Sequence, residues 1–375
     1  MNQRDCLIIG GGVIGLATAW HLANAGARVT LLDRQSTGRE ASWAGGGILC
    51  PLYGWRYPAS VMALAAAGMR RYPEWIARIK AQASTDPEFS QPGLLILDPL
   101  ADGAHRTSVD QWVNEYRLRA EWSAADTHFS HLSTDSALWL PEIHALRNPR
   151  LLRALREVAL SAGVNLIEHE AVHSLWVEGR RVRGANTPEG SLPADCVLVA
   201  AGAWTGHLVP GLTPAQVFPV RGQMLRFEAH PGIGLPTVIM DQGIYLIPRA
   251  DGSVVVGSTV EHAGFDKHPT AEAQAHLHRA AIALWPNLAH AQVAQRWAGL
   301  RPGTTDERPF LGEHPTLDGL FVATGFYRNG LAMAPAAAEA MSALIQQKTP
   351  ELDLSPFRLD RPGGIPPAFP MGNAE

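Results

Sequence analysis

The sequence predicts a mixed α/β protein in which a parallel sheet with covering helices is interleaved with an antiparallel sheet. Three observations predict it. Short, continuous apolar runs at residues 6–9, 29–32, 196–200 and 320–324 read as strands buried on both faces. Helical periodicity fills residues 13–25 and 331–345, beside the first and last of these runs. Residues 216–260 instead break into short alternating runs, the pattern of antiparallel strands.

The first unit is strand 6–9, helix 13–25 and strand 29–32, with Val13, Leu16, Ala17, Trp20 and Ala23 on one helix face and Gly26 as its stop. This is a βαβ unit of about 30 residues. Further helices are predicted at 57–80, 151–162 and 270–285, and strands at 94–97 and 164–167. Residues 171–185 form a hairpin that turns at Glu178-Gly179. From Pro356 onward, proline and glycine predict a loose tail. Because the α/β pieces lie at the start, middle and end, the domains interleave. Residues 1–85, 140–215 and 297–375 make one, and 86–139 with 216–296 make the other.

Composition narrows the function. A chain of 375 residues with 46 % hydrophobic and 18 % charged residues is an ordinary globular protein with a large core. Lys plus Arg is 31 against 35 Asp plus Glu, a net charge of −4, which speaks against nucleic acid as a partner. Cys6, Cys50 and Cys196 are far apart and form no C-x-x-C, so neither a disulfide framework nor a cysteine zinc site is expected, and a reducing compartment fits. No H-E-x-x-H occurs, and no metal site is expected. No apolar stretch of about 18 residues spans a membrane. The N-terminal run is too short for a secretory signal, so a cytoplasmic protein is expected.

Gly10-x-Gly12-x-x-Gly15 lies between the first strand and the first helix. Alone the pattern is weak. Here it has its strand, its helix and Asp33 about 20 residues on, which together predict a dinucleotide site. Gly10 permits the tight turn, Gly12 the approach of a pyrophosphate and Gly15 close helix–strand packing. Val13 and Ile14 open the helix whose unpaired N–H groups receive phosphate. Asp33 accepts from ribose hydroxyls, and Arg34 follows it. The plain alternative is a tight turn without a ligand, which leaves the position of Asp33 unexplained. A second fingerprint, needed by enzymes that pass electrons from a nicotinamide to a flavin, is absent.

Further segments carry a resemblance. They are Ser42-Trp43-Ala44-Gly45-Gly46-Gly47, Asp195 through Trp204, Pro219-Val220-Arg221-Gly222-Gln223, Tyr245-Leu246-Ile247-Pro248-Arg249, Gly299-Leu300-Arg301-Pro302-Gly303-Thr304 and Gly325 through Gly330. In this order they resemble the D-amino-acid oxidase family of flavoproteins, and within it the glycine oxidases of thiamine biosynthesis. The resemblance implies a Rossmann-type FAD-binding domain with the flavin at the domain interface. It also implies noncovalent FAD, since residues 301–309 lack the cysteine that tethers flavin in sarcosine-oxidase relatives. The implied cofactor contacts beyond the fingerprint are Ser42, Ala44, Gly45, Gly46, Gly47, Val172, Ala201, Gly202, Trp204, Arg328, Asn329, Gly330 and Leu331.

The resemblance assigns substrate to Arg301, Tyr245 and Arg328. A small amino acid offers a carboxylate that a planar, bidentate cation recognises, and that cation is arginine. The implied reaction is oxidative deamination of glycine or a D-amino acid to an imine, then an oxo acid and ammonia. Hydride goes to flavin N5 and oxygen becomes hydrogen peroxide. No side-chain base is needed, so no catalytic residue is named. A dehydrogenase of D-amino acids or hydroxyproline with a quinone acceptor, a sarcosine oxidase and a homo-oligomer stay open at this stage. Arg249 and the histidines are read as structural, and Arg221 is left open between a pocket role and a structural one.

Overall fold

The apolar runs become strands and the periodic segments helices throughout the residues that the computed structural model describes, 4–101, 103–132 and 134–365. In chain order come β1 (Asp5–Ile9), α1 (Val13–Asn24), β2 (Arg28–Asp33), α2 (Ala41–Ala44) and α3 (Ala59–Lys80). They are followed by β3 (Leu94–Leu97), α4 (Arg106–Glu115), β4 (Glu121–Ser123), β5 (Ala137–Leu140), α5 (Asn148–Ser161) and β6 (Asn165–Glu168). Next are β7 (Ser174–Glu178), β8 (Arg181–Thr187), β9 (Gly190–Pro193), β10 (Cys196–Val199), β11 (Val217–Phe227) and β12 (Val238–Asp241). The chain continues through β13 (Ile244–Pro248), β14 (Val254–Gly257), α6 (Ala271–Leu284), β15 (Val293–Thr304), β16 (Phe310–Glu313), β17 (Leu320–Thr324) and α7 (Gly330–Ile345).

One sheet has the order β16-β17-β10-β1-β2-β6 and is parallel except at its β16–β17 edge. Successive side chains of a strand point to opposite faces, and both faces are covered here. Cys6, Ile8 and Leu198 pack into the layer of α1, α3, α5 and α7. Leu7, Ile9, Val197 and Val199 pack against Leu175, Val182 and Ala185 of the antiparallel β7-β8-β9 sheet. Apolar residues are therefore favoured on both faces, which is why the runs do not alternate. Helix α1 lies under α5 and α7, and all its residues from Val13 to Trp20 are buried. The single apolar face expected for it is too narrow.

The second sheet has the order β15-β11-β14-β13-β12-β3-β5-β4 and is antiparallel except where β12 meets β3. One face packs Phe227, Leu246 and Val256 on Leu277 and Ala281 of α6. The other carries Met224, Tyr245 and Ile247. Alternation along β13 thus sends Leu246 to α6 and Tyr245 the opposite way.

Two expectations are corrected. Strand β15 was not anticipated, and the expected boundary at residue 297 falls inside it. Gly299, Pro302 and Gly303 are poor strand formers. Pairing with β11, from Val217↔Thr304 to Phe227↔Val293, overrides them. The segment after Pro356 is not loose up to Ile365. Phe357, Leu359 and Ile365 are buried, and Arg361 pairs with both oxygens of Asp306 at 2.8 and 3.0 Å. The rest of that tail, 366–375, lies outside the described residues.

His21 offers a test of the α1 packing. Burial, aided by the charge of Arg78, pushes its pKa from 6.5 down to about 4. Between those values the unfolded chain binds a proton that the folded chain refuses, so stability must fall as pH drops through that window. Thermal midpoints of the wild type are expected to decline from pH 6.5 to 4, and His21→Leu to flatten part of the decline. An identical slope in both proteins would contradict the assignment.

Candidate active site

The parallel strands end at one edge, where ligands of open α/β sheets bind. A cavity of ≈ 810 Å³ begins there, lined by Ile9, Asp33, Ala200 and Thr324 at or just beyond strand ends. It runs to Tyr245 and Arg301 on the second sheet. Its size is that of a ligand site.

Close backbone contact shapes the first end. Gly10 has φ +106°, and a Cβ there would meet the Ala200 carbonyl oxygen at 2.5 Å. A Cβ on Gly15 would meet the Gly10 carbonyl oxygen at 1.9 Å. Gly12 precedes α1, whose first turn carries no acid, so its positive end is open to an anion. The Val13 N–H donates to Ser42 Oγ at 3.0 Å. Asp33 accepts from the Gly11 N–H at 2.8 Å and the Gln35 N–H at 3.0 Å. Burial nevertheless raises its pKa, with those two bonds opposing. Arg34 lies over the Trp204 ring, 3.7 Å from its centroid, and bonds Glu40 at 2.7 Å. Lys267, from the loop before α6, pairs with the same Glu40 at 3.0 Å. A glycine-lined turn, a helix start without acidic residues and a half-buried acid fit an adenine dinucleotide.

The middle of the cavity is the glycine loop 45–47. Gly47 has φ +86°, and a Cβ there would strike the Leu146 carbonyl oxygen at 2.0 Å. Arg249 holds the loop from the second sheet, donating to the Gly46 carbonyl at 2.7 Å and the Leu146 carbonyl at 2.9 Å. Asn148, buried at the start of α5, donates to the Ser42 carbonyl at 2.8 Å. Burial lowers the Arg249 pKa to about 10, which still leaves it charged near neutrality.

At the far end Arg301 donates to the Thr259 carbonyl at 3.1 Å and to Ser258 Oγ at 2.6 Å. Its guanidinium occupies the space where Gly222 lacks a side chain, since a Cβ there would lie 2.2 Å from both terminal nitrogens. Burial lowers the Arg301 pKa, the Tyr245 phenol opposes that, and the like charge of Arg328 adds to it. Arg328 has one terminal nitrogen buried without a partner. Neither arginine forms an ion pair among the described residues.

All residues named from the sequence line this cavity except Gly15, which lies behind Gly10, and Asn329, which is buried just before α7. Arg221 points away, paired with Glu261 at 2.5 Å and Asp266 at 2.7 Å, as its structural reading expects. Its neighbour Gly222 faces the cavity instead. Sequence reasoning missed Gly222, Ser258, Asn148, Glu40 and Met224, and did not connect Arg249 to the loop. Alternation along β11 is the one signal that could have separated Gly222 from Arg221.

A Gly15→Ala variant must displace α1 from β1. It is expected to fold with at least about tenfold weaker cofactor retention, equivalent to ~1.4 kcal/mol, read from absorbance of the desalted protein. Undiminished retention would show that the tight contact is dispensable.

Comparison with known proteins agrees with this geometry. The family model for FAD dependent oxidoreductases matches residues 5–344. Glycine oxidase from Pseudomonas aeruginosa is 41 % identical over 364 residues, covering 95 % of this chain and 98 % of that one. Among solved structures, glycine oxidase from Geobacillus kaustophilus superposes with a TM-score of 0.86 at 28 % identity, covering 96 % and 99 % of the two chains. Iminodiacetate oxidase from Chelativorans superposes with a TM-score of 0.84 at 28 % identity over 94 % and 98 %. No helix among the described residues is long and apolar enough to cross a membrane. The chain belongs to the family of FAD dependent oxidoreductases.

Proposed function

We propose that this enzyme oxidatively deaminates a small amino acid, glycine or a D-amino acid, with oxygen as the electron acceptor. One observation carries the reading. Arg301 and Arg328 both line the cavity, and neither has a carboxylate partner among the described residues. Cations left without counter-charge in a desolvated site call for an anionic ligand. The names of the relatives, glycine oxidases at up to 41 % identity, support a small amino acid as that ligand.

In this reading the six-stranded sheet and its helices hold FAD through Gly10, Gly12, Val13, Asp33 and the loop 45–47. The eight-stranded sheet walls the substrate. FAD, when bound, supplies a two-electron acceptor. Arg301 gives one N–H to Thr259 and one to Ser258 and lies against the Tyr245 hydroxyl, and a guanidinium with five N–H groups keeps donors beyond these for a carboxylate. The Tyr245 hydroxyl stands beside that guanidinium and donates to the Met224 sulfur at 3.4 Å, a weak acceptor that a substrate carboxylate would replace. Fixing the carboxylate orients the α-carbon, which is the protein's main contribution to rate. The carboxylates that line the cavity are Asp33, Glu40 and Glu170. Asp33 and Glu40 are engaged near Arg34, and the Glu170 N–H bonds the Asp33 carbonyl, so all three belong to the dinucleotide end. With no acid among the described residues to serve as base beside Arg301, the substrate amine enters the reaction already deprotonated.

An anaerobic panel of glycine, sarcosine, D-alanine and D-proline tests the proposal. Bleaching of the flavin by at least one of them, with colour and peroxide returning in air, is the expected result. Failure of every amino acid to bleach it sinks the reading, and bleaching without peroxide reassigns the acceptor. Arg301→Met is expected to raise KM by roughly 30- to 3000-fold, equivalent to ~2–5 kcal/mol for a lost partner of a buried ion pair, with flavin content unchanged. The pH–rate profile should follow the substrate amine and shift when the amine pKa is changed.

A further inference from the structure

Two cysteines that play no part in the cavity meet at the centre of the parallel sheet. Cys6 on β1 and Cys196 on β10 are register partners, with their sulfurs 3.1 Å apart. Both are free thiols and both are buried. Neighbouring strands lie about 4.8 Å apart, inside the ~4.4–6.8 Å Cα separation that a disulfide accepts.

The pair lies one residue in from an exposed sheet end. There the Asp5 N–H bonds Asp195 and the Asp5 carboxylate pairs with Arg28, both in contact with solvent. A strand opens at its end more readily than in its interior, which is the route by which a small oxidant reaches the pair. The two sulfurs are unequal. The Cys196 S–H donates to Cys6, and the Arg4 charge lies nearby, so Cys6 is held below the usual thiol range against the cost of burial. Cys196 is pushed up by Cys6 and by burial. An attacking thiolate beside a second thiol able to resolve it is the arrangement that reactive cysteine pairs require. Cys50 is the contrast, with burial alone raising it to about 12.

We propose that Cys6 and Cys196 form a modification site for peroxides, closing to a disulfide that ties β1 to β10. The Cys6 thiolate attacks one peroxide oxygen, the O–O bond breaks, and hydroxide leaves and is protonated to water. Cys6 is then a sulfenic acid. Cys196 attacks that sulfur, the S–O bond breaks, and a second water leaves as the S–S bond forms. Two thiols lose two electrons and hydrogen peroxide gains them. The reaction proposed above would generate this oxidant inside the same molecule, but the site itself needs only peroxide from any source.

The test uses intact holoprotein and added hydrogen peroxide, so it does not depend on turnover. After treatment and unfolding, reactive thiols are expected to fall from three to one, with the loss of two hydrogens in mass. A linked peptide pair containing residues 6 and 196 should appear and be abolished by dithiothreitol. Cys196→Ser should leave a sulfenic acid at Cys6 that dimedone traps, and Cys6→Ser should keep both its thiols. Three thiols surviving in the wild type, or oxidation of Cys6 to a sulfinic acid without a link, would overturn the proposal. Flavin bleaching by amino acids reports on the enzyme activity separately. A link without bleaching therefore condemns only the activity, and bleaching without a link only the dithiol site.

Discussion

The first end of the cavity depends on one contact, that of Gly15 with the backbone of Gly10. With no side chain between them, α1 seats directly on β1 and its first turn points along the sheet's ligand-binding edge. The first end of the cavity is built around that direction. Ser42 reaches the Val13 N–H, Asp33 anchors the Gly11 N–H, and the strand ends at Ala200 and Thr324 complete the wall. A methyl group at residue 15 would push the helix outward and misalign all of these together.

The two sheets are joined by polar contacts that reach from one into the other. Arg249 on the second sheet's side grips the carbonyl of Gly46, and Lys267 meets Glu40 beside the dinucleotide end. Trp297 on β15 donates to the Ala44 carbonyl at 3.0 Å. The glycine loop between the sheets is therefore held from both sides although its own residues have almost no side chains. Rigidity at such a loop comes from its neighbours, which is how a site can combine close backbone approach with fixed geometry.

Much of this was legible in the sequence because it is local. The fingerprint glycines, Asp33 and the flanking apolar runs lie within one βαβ unit, and their spacing alone specifies the turn. The buried strands β10 and β17 were equally plain, since strands covered on both faces read as near-continuous apolar runs. What the sequence concealed is pairwise and long-range. Gly222 matters only because Arg301 fills its missing side chain. Strand β15 has strand-poor residues and exists through its eleven-residue partner β11. Cys6 and Cys196 are 190 positions apart and become neighbours only once β1 and β10 pair. Arg361 anchors a proline-rich stretch through Asp306 and the carbonyls of Arg308 and Pro309, and composition cannot reveal such partners.

The order of these segments along the chain has a consequence for synthesis. A ribosome releases the N-terminus first, so the glycine turn and Asp33 emerge early, as part of a sheet whose central neighbour β10 does not yet exist. The clamp on the glycine loop waits for Arg249, the paired wall for Arg301, and the last lining residues for Arg328 and Leu331. The chamber is thus completed only by the last segments made, and a nascent chain halted before α7 has the glycine turn but no enclosed cavity.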